Sequence, residues 1–150
     1  MTNLASAARA PIGKLLLCSL VLCGLAACGS DAGGVRANFP AAPQQMIVSD
    51  HGVLHIAVRT APDPPIRGDN RVRLDVTDAA GMPIDGLDLT MQPWMPAHSH
   101  GTSVTPAVAP QSGGVYEVDN VYLYMAGTWQ LRLSFSGTET DTATPVFDIP

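Results

Sequence analysis

His98 and His100 stand two residues apart, and Met95 lies three residues before the first of them. On an extended chain, residues i and i+2 share a face, with Cα atoms about 6.6 Å apart. Both imidazoles could then meet one metal ion. A thioether beside imidazoles is a soft donor set that favours copper, Cu(I) above all, over zinc. Pro93 and Pro96 stiffen the approach and lower the entropy cost of presenting the ligands. Met125, just before Ala126-Gly127, supplies a further sulfur if the fold brings that turn close. Met95, His98, His100 and Met125 are therefore the candidate copper ligands. Each residue type also has a plainer use. The histidines could be solvated imidazoles at a strand end. Met91 shares parity with Leu87 and Leu89, and Met125 with Val121 and Leu123, which suits a core. Met95 sits between two prolines, a loop-like setting that suits a core less well. Trp94 fits either a lid over a site or a surface-turn aromatic.

The other chemistry-bearing residues are sparse. His51 and His55 would be about 13 Å apart on a strand, too far to share an ion, and both read as surface residues. The chain has no Gly-x-Ser-x-Gly elbow, no phosphate-cradling glycine loop and no His-Glu-x-x-His. Hydrolytic use of His98 and His100 would need a third ligand and an open position. The expectation is a protein that is not an enzyme.

The elements that must position these residues read as strands. Leu54, Ile56 and Val58 alternate with His55 and Arg59. Val72, Leu74 and Val76 alternate with charged residues, and Leu87, Leu89 and Met91 with Asp88 and Thr90. Tyr116 and Val118, then Trp129, Leu131, Leu133 and Phe135, repeat the period of two. This is the signature of half-buried strands, and no convincing helical period interrupts it. Turn residues separate the runs at Pro62–Asn70, Ala80–Pro83, Ser112–Gly114, Ala126-Gly127 and Ser136-Gly137. About seven short strands at this spacing fit an all-β, immunoglobulin-like antiparallel β-sandwich, placed at residues 46–150. Such a fold carries function on loops and strand ends.

Upstream, a short cationic start with Arg9 and Lys14 precedes an apolar run from Leu15 and then Leu25-Ala26-Ala27-Cys28. That layout is a secretory signal over residues 1–27. A Cys directly after Leu-Ala-Ala resembles the lipobox of bacterial lipoproteins. The resemblance implies that Cys28 is lipidated and becomes the first mature residue. The apolar run is short for a membrane span, which needs about 20 residues. Residues 28–45, rich in Gly, Ala, Pro and Asp, read as the lipidated Cys and a flexible tether. All three cysteines, Cys18, Cys23 and Cys28, lie in or at the end of the signal. The folded domain is thus expected to have no disulfide, no thiolate metal site and no Cys nucleophile. Loss of Arg9 and Lys14 would reduce the eight basic residues to six against thirteen acidic ones, a formal −7. That balance argues against nucleic acid, whose affinity rests on Lys and Arg neutralising phosphates. Membrane contact is expected through the lipid, at the periplasmic or extracytoplasmic face of the cell envelope.

Three segments resemble the YtkA-like family, related to FixH-type domains. They are Leu74 through Gly86 with its Gly81-Met82-Pro83 turn, Met95-Pro96-Ala97-His98-Ser99-His100-Gly101, and Gly114 through Leu131. The resemblance covers roughly residues 50 to 136. It implies a β-sandwich outside a bacterial membrane and links to copper handling, haem–copper oxidase assembly or metal efflux. It strengthens Met95, His98 and His100 as a copper site. The resulting expectation is a lipid-anchored envelope protein that binds or delivers copper to an accepting protein. The alternative is a metal-free module docking on an envelope membrane complex, with an exposed apolar patch near Trp94, Tyr122 and Tyr124.

Overall fold

The computed structural model describes residues 38–150. The signal at 1–27, the lipidation position Cys28 and most of the tether lie outside the described residues. Among the described residues ten strands follow in order: β1 (Gln45–Val48), β2 (His55–Ala61), β3 (Gly68–Thr77), β4 (Leu87–Met95), β5 (His100–Gly101), β6 (Ala107–Pro110), β7 (Val115–Leu123), β8 (Gly127–Gly137), β9 (Asp141–Ala143) and β10 (Val146–Ile149). They form two antiparallel sheets. One runs β1-β2-β3-β7-β6; the other runs β10-β8-β4-β5, with β9 also on β8.

The long strands are those the alternation marks. β2, β3, β4 and β8 bury every second residue, and β7 does so on either side of Asp119-Asn120. Each would leave an apolar face in water if alone and removes it only by facing the other sheet, the driving force of a sandwich. Ile56, Leu74 and Tyr116 from one sheet meet Trp129, Leu131 and Phe135 from the other in a single core. The strand total exceeds the expected seven because β1, β5, β6, β9 and β10 are short strands of two to four residues. Such short runs carry too little alternation to register as strands.

Strand direction defines two ends. At one end lie the loop after β2, the 3-10 turn Pro96–His98 after β4, and the short turn joining β7 to β8. At the other lie the β1–β2 turn, the connection from β3 to β4, and the start of β9. There Tyr116 Oη donates to the Ile84 carbonyl at 3.0 Å and accepts from the Leu87 amide at 3.1 Å.

Candidate functional site

β4 runs straight through both Pro93 and Met95. Among the described residues its only ladder partner before Trp94 is β8, so the missing N–H of Pro93 need not break a second ladder. Met95 therefore ends a strand and keeps the inward parity of Met91. It is 2 % exposed. This corrects the loop-like setting expected for Met95: the prolines bound the turn but do not stop the strand. Its Cε packs against Gly127, where an added Cβ would stand 2.7 Å away. Gly127 has φ +122°, a conformation L side chains rarely adopt. The glycine thus serves both the β7–β8 turn and the slot for the thioether.

His98 and His100 are not on an extended chain, contrary to expectation. Pro96–His98 forms a single 3-10 turn, Ser99 takes the left-handed conformation at φ 53°, and His100 re-enters a ladder opposite Met95. The turn still brings the rings together, with centroids 5.7 Å apart and planes at 45°. Both residues are exposed. His100 Nδ1 lies 3.0 Å from the Gly101 carbonyl. A carbonyl only accepts, so Nδ1 is the donor, and in the neutral ring this leaves the lone pair on Nε2. Among the described residues, His98 makes no side-chain hydrogen bond.

Two neighbours hold this hairpin. Gly101 approaches the Pro93 carbonyl so closely that a Cβ would sit 2.7 Å from its oxygen. Trp94, paired with Gly101, lies on the outer sheet face, where the Arg132 guanidinium stacks 4.4 Å from its ring. Arg132 is itself held by Gln130 Oε1 at 3.2 Å. Trp94 is thus neither a lid nor a turn residue but a strand aromatic covered by a cation.

Met125 lies in the β7–β8 turn, half-buried against the core. Its carbonyl accepts from Trp129 Nε1 at 2.9 Å, which fixes the turn. Next to it, the Tyr124 hydroxyl lies 3.3 Å from Ser103 Oγ, tying this turn to the loop after β5. Hydrogen bonds from Ser103 and then Thr102 lower the phenol below its usual pKa. Beside the same loop, a cleft of about 240 Å³ opens between Met91, Pro93, Val104 and Pro106. The four sequence candidates therefore gather at one end of the sandwich in different states. Two imidazoles stand open, Met125 is half-covered and Met95 is sealed. The donor set fits a soft monovalent ion better than zinc, which wants four tetrahedral ligands in a closed site and three plus water in an open one. Among the described residues no three His, Cys, Asp or Glu side chains are grouped to hold a metal.

Sequence reasoning missed a second polar cluster, at the opposite end. Asp141, buried at the start of β9, accepts from Ser49 Oγ at 2.6 Å, from His51 Nδ1 at 2.8 Å and from the His51 amide at 3.1 Å. Burial works against its charge, but the Ser49 and His51 bonds win and hold its pKa well below the usual carboxylate range. The same pair raises the His51 pKa, chiefly through the hydrogen bond to Asp141. No local pattern signals a pairing across ninety residues.

The YtkA-like family model matches residues 49–134. The chain belongs to the YtkA-like family. The matched span contains Met95, His98, His100 and Met125, and agrees with the resemblance carried by the three sequence segments. Among solved structures, the domain is similar to a DUF4426 family protein from Pseudomonas aeruginosa, with TM-score 0.51 and 9 % identity over 71 % of this chain and 96 % of that one. It is also similar to the Lin-41 filamin domain, with TM-score 0.43 and 18 % identity over 62 % and 91 %. At this identity the first shows a shared fold alone. No curated protein matches.

Proposed function

We propose that this YtkA-like domain is a lipid-anchored, non-enzymatic envelope module that binds copper on the His98–His100 turn and passes it to an accepting protein. The observation that supports the reading is the approach of two exposed imidazoles with ring centres 5.7 Å apart. Two imidazoles bound to one ion through nitrogens at about 2 Å place their ring centres roughly 5–6 Å apart. Little rearrangement is then needed to take up the ion. His98 and His100 hold it, with the Gly101 carbonyl keeping Nε2 of His100 as the ligating atom. Met125, half-buried in the β7–β8 turn, is the sulfur candidate that is not sealed. Met95 joins only if its thioether leaves the slot over Gly127. A site with two firm ligands and one optional one is unsaturated and open, which suits transfer of a cargo ion over permanent retention.

Titration of the domain from Gly29 onward with Cu(I) and Cu(II), beside the His98→Ala/His100→Ala double variant, tests this. Submicromolar binding that disappears in the double variant supports it. No binding, or equal binding in both proteins, removes it and leaves a docking module.

A further inference from the structure

The chain enters the fold from the end that carries the imidazole turn. Gln44 Oε1 accepts from the Thr60 amide at 2.7 Å, and Phe39 lies 5.8 Å from the Arg71 guanidinium. Arg71 pairs with Ala61, the last residue of β2. Running back from β1, the backbone therefore climbs towards the loop after β2. The sequence leaves ten residue steps between Cys28 and Asn38, a reach of about 33–36 Å at full extension.

The side chains at this end suit an interface between water and lipid. Ile66 is 46 % exposed and Tyr124 39 % exposed, and Arg67 follows Ile66 directly. An apolar side chain, a phenol and a cation together match the boundary region of a bilayer, where Tyr sits at headgroup level and Arg meets phosphates. Three acids, Asp63, Asp69 and Asp148, also lie at this end, and Arg67 offsets one of them. The opposite end exposes Met82 among four acids, Asp50, Asp78, Asp85 and Glu139, with no arginine or lysine next to them in the sequence, so anionic headgroups repel it more.

Resting on the lipid-anchor part of the proposed function, we infer that the imidazole end lies on the bilayer surface, with Ile66, Arg67 and Tyr124 as its contacts. The occupant of this surface is lipid. Copper held by His98 and His100 is then presented at the membrane plane, and the receiving protein is one embedded in or anchored to the same membrane.

The test uses the lipidated full chain, without copper, on vesicles of phosphatidylethanolamine and phosphatidylglycerol doped with brominated lipid. A fluorophore is placed on Ala97→Cys at the imidazole turn or on Met82→Cys at the far end; lipidation consumes Cys28 and the leader takes Cys18 and Cys23. Quenching several-fold stronger at position 97, and reduced by Ile66→Asp, is the expected result. Equal quenching at both positions, or stronger quenching at 82, overturns the orientation. A chain that fails to float with the vesicles overturns the anchor and the orientation together. A failed copper titration would leave this result standing, so the two readings fail separately.

Discussion

His51 at one end of the sandwich and His98 with His100 at the other are the same side chain put to different uses. His51 is more open than many surface residues, its side chain 77 % exposed, yet Nδ1 donates to a buried carboxylate and its amide is held by the same group. Its turn is locked to β9. Among the described residues, His98 and His100 meet no carboxylate within bonding distance, and one weak link to the Gly101 carbonyl leaves Nε2 of His100 ready to bind. Exposure therefore does not separate a structural imidazole from an available one. What separates them is the partner on the other nitrogen and whether a second ring lies within reach of the same ion.

Copper binding should separate the two ends most strongly. His51→Ala is expected to keep the copper affinity, while the His98→Ala/His100→Ala variant loses at least a hundredfold, roughly 2.7 kcal/mol. Isothermal titration of both decides it, and loss in His51→Ala would reverse the assignment of the ends. Folding stability of the double variant should stay within about 0.5 kcal/mol of the parent, because both rings are exposed.

Acid should act on the opposite end. The depressed Asp141 pKa contributes stability that is present above the ordinary carboxylate value near 3.8 and is lost as pH falls further. Thermal melting from pH 6 to pH 2 should show a steep loss in the parent. Asp141→Asn should melt earlier at pH 6 and depend less on acid. An unchanged acid slope would mean that the clamp does not hold this end.

Tyr116→Phe, also at the clamped end, leaves the Ile84 carbonyl and the Leu87 amide without their partner. The expected cost is about 2 kcal/mol, read as a lower urea midpoint. Tyr124→Phe, at the open end, should cost under about 0.5 kcal/mol by the same measurement. The smallest effect is expected as the pH rises above 6.5. His51 has a folded pKa raised above 6.5, so its contribution is complete below 6.5 and fades as pH rises through the folded value. His51→Ala should remove a shallow decline in melting temperature that begins near pH 6.5 and continues as the pH rises through the folded value.

Much of the fold was legible because five strands each bury a full face, and burial of alternate residues imprints a period of two on the sequence. The short strands were not, since their pairing is set by neighbours. Met95 was misplaced because its prolines speak of backbone stiffness, while strand length is decided by whether β8 continues to pair alongside. His98 and His100 were found from their spacing, but their convergence comes from a 3-10 turn and a left-handed Ser99 in place of an extended chain. The Ser49–His51–Asp141 cluster joins turns ninety residues apart and leaves no local trace.

The sandwich, the family and the presence of two close imidazoles can be read from the sequence alone, because each is written in local pattern: alternation, ordered motifs and a spacing of two. Which side chains are available follows from how the sheets pack. That packing seals the Met95 thioether over Gly127, leaves Met125 half-buried, covers Trp94 with Arg132 and binds His51 to Asp141. Availability depends on what packs against a group from elsewhere in the chain, and only the assembled sheets supply those neighbours.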